Sequence, residues 1–179
     1  MSEGDLPELP FRFQEEPLIG YKKLCVSLSN GLLVLEGSRG KYEGLSPVAV
    51  CLKKGEHTVP SRECECGFYS YNSARPIYYS GDLYATVEVF GTVIVCKEGY
   101  RSSRQRIIAL AMERECQMCR IFGDSRRMAD GLYFGMSGGR PTLLCEEHGE
   151  LSVRLHAAMK MTLAAASEQL GLEVTWYKG

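Results

Sequence analysis

Cys116-Gln-Met-Cys119 and, after 25 intervening residues, Cys145-Glu-Glu-His148-Gly149 form the stretch on which the reading of this chain turns. Zinc takes four sulfur or nitrogen donors in a tetrahedron, and proteins commonly supply them as close pairs on tight turns. Two such pairs stand here. Between them, Gly131-Leu-Tyr-Phe-Gly135 and Thr142-Leu-Leu-Cys145 read as short strands around a Gly138-Gly139-Arg140-Pro141 turn. The segment therefore predicts a zinc ribbon or treble-clef-like arrangement with a hairpin between the ligand pairs.

Upstream lies a second set, Cys51, His57, Cys64 and Cys66, in which Gly67 closes the Cys-x-Cys turn. Eight candidate ligands thus divide into two complete sets of three cysteines and one histidine. Mixing of pairs between the two clusters is the alternative that spacing leaves open. Three thiolates and an imidazole fill a tetrahedral shell and leave no open position of the kind hydrolytic zinc uses. Two structural zinc ions are the expected cofactors. The other two cysteines, Cys25 and Cys96, fall in predicted strands and read as buried packing side chains.

The remaining chain is read outward from these clusters. Residues 1–16 carry five acids against Arg12, with prolines at 7 and 10, and read as a mobile acidic tail. Asn30-Gly31 stands between two alternating apolar runs from Tyr21 to Glu36, a strong hairpin signal. Phe68-Tyr-Ser-Tyr-Asn-Ser-Ala74 reads as a short helix ended by Pro76. Asp82–Cys96 is a valine-rich strand with Gly91 as a bulge, and Arg106–Met112 returns beside it after a turn at Glu98–Arg101. Leu151, Leu155, Met159, Leu163, Ala166 and Leu170 recur at helical spacing before Gly171, which predicts one C-terminal amphipathic helix. Leu172–Tyr177 alternates and predicts a closing strand with Trp176 facing inward.

The expected fold is α+β: a small, mostly antiparallel β-sheet, two zinc-binding modules and a C-terminal helix. The expected domains are the tail at 1–16, a β-rich module with the first zinc site at 17–112, and the second zinc module with helix and closing strand at 113–179.

Composition narrows the function classes. The chain has 179 residues, a net charge of −1, and 45% hydrophobic against 24% charged residues, a globular mixture. The N-terminus has neither the basic start nor the apolar run of a secretory signal, and no stretch approaches the roughly 20 apolar residues of a membrane span. A cytoplasmic location without membrane partners is expected, and metal ligation is then the first role to test for eight cysteines.

Lys97 to Arg127 holds eight basic residues against four acids, a local excess of +4. Its candidate nucleic-acid contacts are Arg101, Arg104, Arg106, Arg120, Arg126 and Arg127, with Tyr100, Phe122 and Tyr133 available to stack on bases. Enzyme chemistry lacks a comparable signal. Gly135–Arg140 is glycine-rich without the Lys-Ser/Thr ending of a phosphate loop, and His156 has no evident partner. No base, nucleophile and oxyanion site assemble.

The stretch from Tyr21 to about Leu110 resembles a group of small proteins of actinobacteria and their phages. The shared residues are Gly20-Tyr21-Lys22, then Cys51, His57, Pro60, Cys64, Cys66, Gly67, Phe68 and Tyr69, then Gly91–Val95 and Gly99-Tyr100-Arg101. Ser102-Ser103-Arg104 departs from the group's commoner residues. The resemblance implies a phage or actinobacterial origin and treats the first cluster as one unit, but it carries no activity. Together these readings lead to a non-enzymatic zinc-binding accessory protein. Its expected partner is nucleic acid or nucleic-acid-processing machinery, in recombination or transcription regulation. The alternative is a protein-interaction adaptor whose zinc modules stiffen a surface, with the acidic tail as part of the contact.

Overall fold

The computed structural model describes residues 12–37, 40–51, 53, 57–74, 83–124, 127–136 and 138–177. The fold is α+β, with mostly antiparallel sheets and few helices. Contacts divide the chain into two compact units: Met1–Lys22, Glu43–Ile77 and Thr86–Ile107 form one, and Lys23–Tyr42, Tyr78–Ala85 and Ile108–Gly179 the other. The long strands β1 (Arg12–Ser29), β5 (Leu83–Cys96) and β6 (Gly99–Met112) each give one end to either unit. The units therefore interleave along the chain instead of following one another as the expected 17–112 and 113–179 division has it. Of the expected acidic tail, residues 1–11 lie outside the described residues, and from Arg12 onward the chain is already strand.

In the first unit, β4 (Phe68–Tyr71) lies between β1 and β6, with Tyr21 opposite Tyr71 and Phe68–Tyr71 running antiparallel to Gly99–Ser102. This corrects the helix expected at residues 68–74. Phe-Tyr-Ser-Tyr is a β-prone sequence, and two neighbouring strands are present to satisfy its backbone. β5 pairs with both β1 and β6. Its residues alternate in burial, with Val87, Val89 and Val93 fully enclosed. Gly91, at φ +75°, leaves room for Ser103, whose Oγ accepts the Thr92 N–H at 3.0 Å. β6 starts at Gly99, seven residues before the expected strand, because the tight Lys97–Glu98 turn lets pairing begin at once. Cys96, at the mouth of that turn, is exposed, and Cys25 is half-buried; neither is the enclosed core thiol expected.

In the second unit the Asn30-Gly31 turn is as expected. Both residues have positive φ (51° and 79°), and β1 pairs antiparallel with β2 (Leu32–Gly37) from Ser29 opposite Leu32 to Cys25 opposite Glu36. A two-residue β3 (Gly40–Lys41) extends this edge. At the far end, β10 (Val174–Trp176) runs parallel to Leu110–Met112 of β6, with Trp176 half-buried. A separate three-stranded sheet is ordered β8 (Thr142–Leu144), β7 (Gly131–Phe134), β9 (Met159–Met161). Every residue of β7 is buried.

The single C-terminal helix expected over 151–170 is two helices with β9 between them. α2 spans Glu146–His156 and stops at Ala157, which is left-handed at φ 49°, while α3 spans Leu163–Leu170. Met159–Met161 instead pairs with Leu132–Phe134 of β7. Ala157, Ala158 and the two methionines are good helix formers, so the interruption is tertiary in origin: β7 needs a second neighbour for its backbone groups. Thr162 then caps α3, its Oγ1 accepting the Ala165 N–H at 3.2 Å, and Gly171 ends it at φ 63°. The Gln169 side chain ties α3 to the first hairpin, accepting the Leu33 N–H at 3.1 Å and donating to the Gly31 carbonyl at 3.3 Å.

Candidate metal centres

The local chain delivers most of the ligands for an identifiable reason. In the first unit, Leu45–Ala49 is laced along β6: the Ile107 N–H donates to the Leu45 carbonyl and the Ala49 N–H to the Ser103 carbonyl, both at 2.8 Å. That seam brings Cys51 to the loop carrying Cys64 and Cys66. Gly67, at φ +103°, turns the chain from this loop into β4. An added Cβ there would meet Pro60 at 2.9 Å, so the turn and the close approach both call for glycine.

In the second unit both ligand pairs open a helix. Cys116 precedes the short α1 (Gln117–Ile121), which contains Cys119. Cys145 follows β8 directly and is the N-cap residue of α2, which places His148 in that helix's first turn. The hairpin β7–β8 joins the two pairs. Gly149, the residue after His148, lets α2 lie against the Tyr133 ring, since any Cβ would collide with the ring carbons and hydroxyl.

The ligand atoms of each set all lie within 4.8 Å of one another. Bonds of about 2.3 Å to sulfur and about 2.0–2.1 Å to nitrogen require tetrahedral edges of about 3.8 Å between sulfurs and about 3.6 Å from sulfur to nitrogen. In the first set, Cys51 and Cys64 Sγ are 3.6 Å apart and His57 Nε2 is 3.2 Å from Cys66 Sγ. In the second, Cys119 and Cys145 Sγ are 3.9 Å apart, and His148 Nδ1 is 3.6, 3.4 and 3.4 Å from Cys116, Cys119 and Cys145. These are edges of one small polyhedron. Among the described residues no cysteine is in a disulfide. Both sets can hold a metal ion, and the ligands do not mix between clusters.

The two centres differ in enclosure. Cys116, Cys119 and Cys145 are all buried, whereas in the first set only Cys66 is, with Cys51 and Cys64 half-buried. The electrostatics are uneven within each set. Desolvation pushes the Cys116 thiol up, but the backbone N–H groups of Cys119 and Cys145 and the His148 side chain outweigh it and bring it down to about 6. Desolvation and its neighbours Cys116 and Cys145 push Cys119 up to about 12. In the first set, desolvation also opposes ionisation of Cys64, yet the Cys66 N–H and the Cys51 thiol bring it below the usual range, while desolvation raises Cys51.

The arginines proposed for nucleic acid are placed differently from one another. Arg101 points its guanidinium at the first ligand loop, donating to the carbonyls of Ser61 at 2.9 Å, of Cys66 at 2.7 Å and of Cys64. Arg106 is paired with Glu88, Arg120 with Glu115, and Arg127 with Asp124 and Glu147. Arg104 is exposed and makes no ion pair among the described residues, and Arg126 lies outside them. Tyr133 is buried with its hydroxyl on Asp130, so it cannot stack on a base as expected. Phe122 is 72% exposed and lies over the His148 ring at 6.5 Å. His156 ends α2, exposed.

Sequence reasoning missed the contacts that Arg101 and the Tyr69 hydroxyl make with carbonyls of the first ligand loop, and Gly149 as a spacer in the second centre. Only Gly149 carried a local signal, a glycine directly after a ligand in a helix start. No helix among the described residues is long and apolar enough to cross a membrane. Comparison with protein families, with curated proteins and with solved structures finds no match to this chain.

Proposed function

We propose that this chain is a non-enzymatic binding protein built on two structural zinc ions, one held by Cys51, His57, Cys64 and Cys66 and one by Cys116, Cys119, Cys145 and His148. The observation that carries this reading is the completeness of both donor sets: four protein ligands converge at each centre, and soft thiolates with one imidazole select zinc over magnesium or calcium. A filled shell has no place for a reacting water, so the metals stabilise the fold. The second centre, with a knuckle, a hairpin and a helix whose first turn supplies the last ligand, is treble-clef-like. Native mass spectrometry with elemental analysis tests the reading. Two zinc ions per chain are expected, and one or none in folded protein would refute it.

The partner we favour is a protein, met on the second unit. Ile121 and Phe122 on the zinc knuckle are 70% and 72% exposed, and Leu151, Val153 and Leu155 project from α2. Exposed large apolar side chains on two short elements suit a protein contact better than a phosphate backbone. The nucleic-acid reading keeps one supporting observation, the exposed Arg104, which makes no ion pair among the described residues. The two separate on salt dependence. Affinity for DNA or RNA that falls steeply with salt and is lost in Arg104→Glu favours nucleic acid. Capture of a protein by the wild-type chain, lost in Phe122→Ser with zinc content intact, favours the adaptor.

A further inference from the structure

We infer that Arg101, together with Tyr69, is a positioning residue for the first metal centre, a clamp on the main chain of the Ser61–Cys66 loop that sets that centre's affinity for zinc. The inference rests on the zinc reading above and adds a group that is not a ligand. Arg101 and Tyr69 are directly opposite each other on β6 and β4. Their side chains share one face, with the guanidinium 5.3 Å from the Tyr69 ring centre. From that platform Arg101 Nη2 reaches the carbonyls of Ser61, Cys64 and Cys66, and the Tyr69 hydroxyl donates to the Glu65 carbonyl at 3.0 Å. Four carbonyls of one six-residue loop are therefore gathered by two side chains of the sheet, and two of the four belong to metal ligands.

The chemistry explains why the chain uses arginine here. Three thiolates around a divalent ion leave a net negative charge, which a fixed cation beside the loop offsets. The half-buried first centre also lacks the packing that encloses the second, so its ligand loop must be held in another way. A planar guanidinium held over a ring loses less freedom when it binds several acceptors than a lysine ammonium, a point charge on a flexible stem. Groups outside the ligand shell that orient ligands typically change metal affinity by about 10–100-fold.

The test is chelator competition on the full-length zinc-loaded protein, with EDTA as the probe and native mass spectrometry as the count. Thiol alkylation then shows whether Cys51, Cys64 and Cys66 or Cys116, Cys119 and Cys145 have been freed. Arg101→Gln should release zinc from the first centre at about 10–100-fold lower EDTA, with the second centre unchanged. Arg101→Lys should fall in the same direction, and Tyr69→Phe, which keeps the ring and loses one donor, should do so by less. Equal loss from both centres would mark a general loss of stability and overturn the clamp, as would a lysine variant that holds zinc like wild type. A wild-type chain without zinc at the first centre would refute the zinc reading itself and the clamp with it.

Discussion

Replacing Gly149 by alanine sets two opposed effects against each other at the second metal centre. Gly149 is buried inside α2, and in an open helix Gly→Ala would stabilise by about 1 kcal/mol. Here the added methyl would overlap Cζ, Cε1 and the hydroxyl of Tyr133. That ring cannot swing away cheaply: it is 3% exposed, and its hydroxyl donates to Asp130 at 3.0 Å. Either the ring or α2 must shift, and α2 carries His148 on the adjacent residue. Overpacking of this kind costs about 1–3 kcal/mol, and the collision of three atoms puts it at the upper end. The net expectation is destabilisation by about 1–2 kcal/mol, or a Tm lower by about 2–8 °C for a chain of this size. Circular-dichroism melts of zinc-loaded protein measure it, and EDTA competition should show the second centre loosened first. Combining Gly149→Ala with Tyr133→Leu makes room for the methyl, so the double variant should be more stable than the two single losses added together. A Gly149→Ala protein melting at or above wild type would refute the reasoning, because propensity alone would then decide the site.

Other outcomes follow from the same geometry. Cys116→Ser and Cys64→Ser each remove one of four ligands and should lower the Tm sharply in zinc-loaded protein, whereas Cys25→Ser should cost little; equal small losses in all three would refute the metal assignment. Lys22 donates to Gln105 Oε1 at 3.2 Å, and burial lowers its pKa to about 7. Between pH 7 and the ordinary lysine value of 10.5 the unfolded chain then holds one proton more than the folded one, so this group makes stability rise with pH, by about 1.4 kcal/mol per unit. Denaturant melts of Lys22→Met should lack that rise, and an unchanged pH slope would place the ammonium in water. Thr162→Ala removes the Oγ1 acceptor at the start of α3 and should cost about 0.5–2 kcal/mol by urea titration, with zinc content unchanged.

Local chemistry made several features legible in the chain itself. An Asn-Gly pair carries its own turn preference, an alternating valine run its own periodicity, and a cysteine pair two residues apart its own metal geometry. The Asn30-Gly31 hairpin, β5, the Gly171 cap and both ligand sets are of this kind. The failures share a different cause. Phe68–Tyr71 becomes strand because β1 and β6 flank it, and Met159–Met161 leaves the helical pattern because β7 has a free side. Apolar spacing could not report either neighbour.

The same divide runs through the candidate sites. Which eight residues converge was contained in their types and spacing, because a tetrahedral ion tolerates few donor sets and short loops position donors in pairs. What surrounds them was decided only by folding. Arg101 reads as one basic residue among eight until β4 and β6 pair and aim it at the loop carbonyls, and Tyr133 reads as a free aromatic until α2 closes over it. Ligand identity is a property of side chains and short-range geometry; a side chain's partner across a sheet depends on strand order and register, which non-local contacts set.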